Sequence, residues 1–105
     1  MSDASKKDML AESIQVCHQL NGKGQYFHAS PLQPTTTATL VCVRNGKPIV
    51  TDGPFIETRE QLAGYFLVDV KDRDEAVSIA ARVPGARIGT VEVRPLRDIH
   101  GLPGE

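Results

Sequence analysis

Apolar residues recur at Leu10, Ile14, Cys17 and Leu20, with Met9 and Val16 beside them. That spacing predicts an amphipathic helix, ending at Asn21-Gly22, a usual stop signal. The polar residues before it, 1–8, are expected to fray. From residue 25 the period shortens. Residues 25–30 read as a short extended run, with Pro31 and Pro34 punctuating its end, and residues 37–44, rich in Val, Thr and Leu, read as a strand. Asn45-Gly46 predicts a two-residue type I′ turn, because both positions need a positive φ. Residues 47–51 form the return strand of this hairpin, in which Pro48 requires an edge or non-donating position.

Asp52-Gly53-Pro54-Phe55 breaks the pattern, and residues 56–61 read as a turn or one helical turn. Residues 65–70 are the clearest strand. Asp72-Arg73-Asp74-Glu75 has capping-box spacing, with Asp where Ser or Thr is usual. It opens a second helix over Ala76, Val77, Ile79, Ala80 and Val83, stopped at Val83-Pro84-Gly85. Residues 90–96 read as a last strand and 97–105 as a mobile tail. The order is helix, strand, inserted hairpin, strand, helix, strand. Helices on one face of a largely antiparallel sheet make an α+β domain. One more strand at the front would complete a ferredoxin-like βαββαβ fold.

A length of 105 residues fits a single domain spanning 1–105. A chain of this size buries about 60–70% of its unfolded surface, so dimerisation is a useful source of further burial. Twelve basic and thirteen acidic side chains leave a net charge of −1, which gives no electrostatic footprint for nucleic acid or an anionic membrane. Neither a secretory h-region nor a membrane-length apolar run is visible, and the expected compartment is the cytoplasm. Cys17 and Cys42, in apolar contexts, are expected to be buried free thiols. No Cys/His spacing suggests a metal, and no cofactor is implied.

The segment from Val50 to Tyr65, with Asp52-Gly53-Pro54-Phe55 at its start, resembles the signature of the YCII-related family in its DGPF branch. Pro31-Leu32-Gln33-Pro34 with Thr37-Ala38-Thr39, and the stretches 81–87 and 89–95, extend the likeness over about residues 10–97. The resemblance implies a ferredoxin-like dimeric α/β barrel with an inserted β-hairpin, two sheets packing across a shared cavity. It implies no settled reaction. Members of the DGPF branch are often encoded beside extracytoplasmic-function sigma factors, which makes such a factor a candidate partner. The chain departs from the family in lacking the usual first strand. Only polar residues precede the first helix, so either the start lies further upstream or the domain does without that strand. In the family, that strand lies between the strands at 65–70 and 90–96, which are therefore not expected to pair directly with each other.

Strand alternation sorts the faces. Phe27, Ala29, Phe66, Val68, Val70, Val91 and Val93 form the apolar set expected to meet the helices. The opposite set includes Tyr26, His28, Tyr65, Glu92 and Arg94, which would line the cavity of a dimeric barrel. One reading makes Glu92–Arg94 a structural ion pair that registers a homodimer through the face carrying Tyr65, Leu67 and Arg94. The other makes the set a pocket for a small anionic or carbonyl ligand, with Arg94 as bidentate anchor and His28 as proton carrier. Asp52 is either the cap of its own turn or a catalytic acid beside His28. Glu57 and Glu60 could seat a cation, although such carboxylates are usually solvated. The expected role is small-ligand binding, with regulation as its candidate purpose. The rivals are a cofactor-free lyase, isomerase or hydrolase using His28 with Asp52 or Glu92, and a sigma-factor interaction module.

Overall fold

A computed structural model describes residues 3–53 and 61–104. The chain forms two compact units, one made of Met1–Tyr26 with Val68–Glu105 and the other of Phe27–Leu67.

The first unit is helical: α1 (Asp3–Gly22), α2 (Arg73–Ala80) and the short α3 (Gly85–Ile88). Its core is small. Val16 and Leu20 of α1, Ile79 of α2, and Val83 and Pro84 beyond it are the buried residues among those described, with Leu20 and Pro84 fully enclosed. The 3.6-residue period finds α1 but misplaces its buried stripe. Met9, Glu12, Ser13 and Cys17 flank the buried Val16 and Leu20, while Leu10 and Ile14 are about half exposed, at 47% and 48%. Apolar residues at Leu10, Ile14, Val16, Cys17 and Leu20 cover more of the helix than one packed face, and the stripe through Val16 is the one that packs.

The helix begins at Asp3, inside the stretch expected to fray; an acidic first turn suits the helix N-terminus. Its other end is closed by Gln25 N–H bonding back to Leu20 O at 2.9 Å. The capping box at α2 forms in one direction: Asp72 Oδ1 accepts from Glu75 N–H at 2.9 Å. The Glu75 carboxylate accepts from Lys71 N–H at 3.2 Å and from Gln25 Nε2 at 3.1 Å, which ties the start of α2 to the exit of α1. A bidentate pair joins α1 to α3, Arg87 Nη1 and Nη2 donating to Glu12 Oε2 and Oε1 at 2.9 and 2.8 Å. Arg82 also donates to Gln19.

The second unit carries the strands β1 (Tyr26–Pro31), β2 (Thr39–Arg44), β3 (Lys47–Asp52) and β4 (Gly64–Val68), with a 3-10 turn at Thr35–Thr37. They make two two-stranded sheets, β1 with β4 and β2 with β3. Bonds from Leu32 N–H to Ala63 O (2.7 Å) and from Asp69 N–H to Gln25 O (2.8 Å) at opposite ends set β1 and β4 antiparallel. The β2–β3 hairpin turns at Asn45 and Gly46 with φ of 53° and 75°, the conformation the dipeptide predicts. Its register pairs Arg44 with Lys47, Cys42 with Ile49 and Leu40 with Thr51, and Gly53 N–H bonds to Ala38 O at 2.8 Å. These even-numbered β2 residues are the hydrogen-bonded pairs, so Val43 and Pro48 face each other at an unbonded position. Pro48 therefore costs the ladder nothing; the N–H it lacks would have pointed to the outer edge of β3. Gly53 fits because its backbone runs against Ala38, where an added Cβ would lie 2.9 Å from Ala38 Cβ.

Mixed helices and small antiparallel sheets make this an α+β arrangement, consistent with a ferredoxin-like fold. Two expectations are corrected. Residues 90–96 belong to neither sheet, although Val91 and Val93 alternate with polar neighbours as a strand would. Alternation specifies a face and not a partner, and a strand needs a neighbouring ladder to satisfy its backbone. Phe27, expected to be covered, is 62% exposed, because the described core is confined to α1, α2 and the turn after it.

Leu20→Ala is expected to lower the unfolding free energy by about 2–5 kcal/mol, and Leu10→Ala by under about 1 kcal/mol; urea denaturation of both variants checks the assignment of the packed stripe. The Arg87 hydrogen bond holds the Glu12 carboxyl below the usual carboxylate range. A lowered folded-state value contributes stability that is present above the ordinary range and lost as pH falls through the folded value. Glu12→Gln is thus expected to be slightly less stable than the parent at neutral pH, with the gap closing in acid. A gap that widens as pH falls would contradict the pairing.

Candidate functional site

The chemistry-bearing residues that the strands bring together are His28 on β1 and Tyr65 on β4. Tyr65 Oη lies 2.7 Å from His28 Nδ1, and the two rings stack with centroids 5.6 Å apart at 27°. Both side chains are exposed. The backbone explains the closeness: Gly64 lies so near β1 that an added Cβ would come within 2.7 Å of Ser30 O and 3.0 Å of Pro31 Cα. A side chain there would push β4 off β1 and separate the rings.

A phenol and an imidazole sharing one hydrogen bond have two arrangements. Tyr65 donates into the Nδ1 lone pair, leaving Nε2–H as a donor, or Nδ1–H donates to the phenol oxygen. Either way the pair presents a donor and an acceptor at one exposed point, with the rings holding each other's orientation.

The other sequence candidates are placed separately. Tyr26 is half-buried at the start of β1. Glu92 and Arg94 form an ion pair at 3.5 Å between side chains that are 75% and 82% exposed. Such a solvated pair contributes little to stability. Asp52 is exposed at the end of β3, opposite Thr39; the turn it was expected to cap, together with Glu57 and Glu60, lies outside the described residues. Ser30 Oγ donates to Pro31 O at 2.8 Å. Among the described residues, no three His, Cys, Asp or Glu side chains gather as a metal site would require, and no helix is long and apolar enough to cross a membrane.

Both cysteines are free thiols, but they are not both buried: Cys17 is half-buried on α1 and Cys42 is exposed on β2. Desolvation pushes the Cys17 thiol up. An apolar neighbourhood in sequence misleads for Cys42 because its hairpin leaves both faces open.

The sequence reading grouped His28 with Tyr65 by face only; it missed their direct contact and the Glu12–Arg87 fork. Strand parity carried the first signal. The second had none, since Glu12 and Arg87 are 75 residues apart in the chain.

Comparison with known proteins places these features in context. The model of the YCII-related domain family matches residues 2–100. An uncharacterised protein of Rhizobium meliloti (strain 1021) is 46% identical over 75 residues, which cover 70% of this chain and 60% of that protein. The chain thus matches less than two thirds of that relative's length.

Cys42 is expected to react with a maleimide or aromatic disulfide reagent faster than Cys17, since Cys42 is exposed while burial both shields the Cys17 thiol and pushes it up. Mass-spectrometric time courses on the native protein decide this, and faster labelling of Cys17 would contradict the placement of α1.

Proposed function

The chain belongs to the family of YCII-related domains, and within that family we propose that it binds a small ligand bearing a carbonyl or carboxylate group, anchored by the His28–Tyr65 pair. The observation that carries this reading is the 2.7 Å contact between Tyr65 Oη and His28 Nδ1, held by stacked rings on an exposed strand surface. Orienting two hydrogen-bonding groups before the ligand arrives reduces the ordering cost of binding. The aromatic faces add an apolar platform beside the polar point, as small-molecule sites commonly do.

The pairing with a phenol favours binding over acid–base catalysis. A catalytic histidine is commonly oriented by a carboxylate that also stabilises its charged form. His28 is oriented by a neutral hydroxyl instead. The proposed anchor consists of His28 and Tyr65 alone.

Tyr65→Phe keeps the ring and removes the hydroxyl. Titration with a panel of small carboxylates and ketones, followed by the His28 ring resonances in NMR, is expected to give saturable shifts in the parent protein. In Tyr65→Phe the affinity is expected to fall about tenfold, the equivalent of one hydrogen bond. Unchanged affinity, or no saturable shift at His28 in the parent, would overturn the reading.

A further inference from the structure

The His28–Tyr65 contact fixes how many hydrogens the pair has to offer. A neutral imidazole carries one ring N–H and a phenol carries one O–H. Tyr65 Oη and His28 Nδ1 lie 2.7 Å apart, so one of those hydrogens is held between them. The other is left for a ligand. It sits on His28 Nε2 when the phenol donates, and on Tyr65 Oη when Nδ1–H donates. The position without it offers a lone pair. Adding one proton changes the count. Nδ1–H then supplies the bridge, and both Nε2–H and the Tyr65 hydroxyl are free to donate outward.

A carboxylate accepts hydrogen bonds and donates none, whereas a carboxamide does both. A carboxamide is therefore served at either position of the neutral pair, its C=O by the donor and its N–H by the lone pair. A carboxylate is served at only one. The protonated pair presents a donor at both positions and adds a positive charge, which strengthens a bond to an anion.

We propose that the pair takes up a proton when it binds a carboxylate and none when it binds a carboxamide, so that falling pH turns a site for neutral amides into one for carboxylates. This linkage rests on the reading of the pair as a ligand anchor, and it separates the two ligand groups named there. The proton comes from water and ends on the His28 ring; the phenol hydrogen reorients, and no covalent bond of the ligand is made or broken. The strands leave the countercharge to the ligand. The titratable side chains of β1 are Tyr26 and His28 and that of β4 is Tyr65; neither strand carries a carboxylate, lysine or arginine. The phenol orients an imidazolium without neutralising it, and a bound carboxylate favours the charged form. Both side chains are exposed, so a proton reaches the pair without a relay. Exposure also screens the charge, which keeps the gain to about tenfold.

Benzoate and benzamide test this as a matched pair, alike in shape, the first an anion that only accepts and the second neutral. Histidine side chains change charge between about pH 5 and pH 8, while an ordinary carboxyl, with a value near about 4, stays ionised throughout. Each probe is titrated into the protein at about pH 5.5 and about pH 8, with the His28 and Tyr65 ring resonances followed by NMR. Benzoate is expected to bind about tenfold more tightly at the lower pH, and benzamide to change by less than about twofold. His28→Gln, shown to be folded by circular dichroism and followed at Tyr65, is expected to lose the difference. Equal benzoate affinity at the two pH values, a matching change for benzamide, or a change that survives in His28→Gln would overturn the proton linkage and leave the anchor standing. Saturable shifts from neither probe at either pH would overturn the anchor and the linkage together.

Discussion

Where apolar surface is buried decides most of what this chain does. Leu20 and Pro84 are fully enclosed, and with Val16, Ile79 and Val83 they make the core of the helical unit. Among the described residues the strands have no comparable centre. Phe27, Val41, Val43 and Val50 are all 60% exposed or more. Apolar side chains in β-branched strands are the residues that ordinarily drive sheet packing. Left in water, they contribute nothing to stability and present a surface that favours association. Much of the exposed apolar surface among the described residues therefore lies on the hairpin.

Local chemistry was legible in the sequence where a single residue type has one physical use. Asn45-Gly46 adopts the turn it predicts, and Asp72 caps the α2 N-terminus through Glu75 N–H. Pro48 occupies a non-donating position, as its missing N–H demands. The family was legible too, from the stretch beginning at Val50, and the match to the YCII-related domain over residues 2–100 bears it out. What stayed hidden depends on partners rather than on local pattern. Periodicity located α1 but could not decide between the stripe through Ile14 and the stripe through Val16, because burial depends on tertiary neighbours and not on the period. Alternation in residues 90–96 gave a face and no ladder. The meeting of His28 with Tyr65 needed the register of two strands separated by a hairpin, which no local signal encodes.

Two glycines show how backbone approach shapes both ends of the strand unit. Gly53 allows the β3 exit to lie against Ala38, and Gly64 allows β4 to lie against Ser30 and Pro31. The second of these matters for chemistry, since it brings the Tyr65 hydroxyl within hydrogen-bonding distance of His28. The aromatic pair lies on β1 and β4, while among the described residues β2 has β3 as its single strand neighbour.

Amide hydrogen exchange along β2 tests the hairpin register most directly. Leu40 and Cys42 point their N–H groups into the β2–β3 ladder, while Val41 and Val43 point theirs outward. The expected result is slower exchange at Leu40 and Cys42 than at Val41 and Val43. Protection at Val41 and Val43 that exceeds that at Leu40 and Cys42 would contradict it.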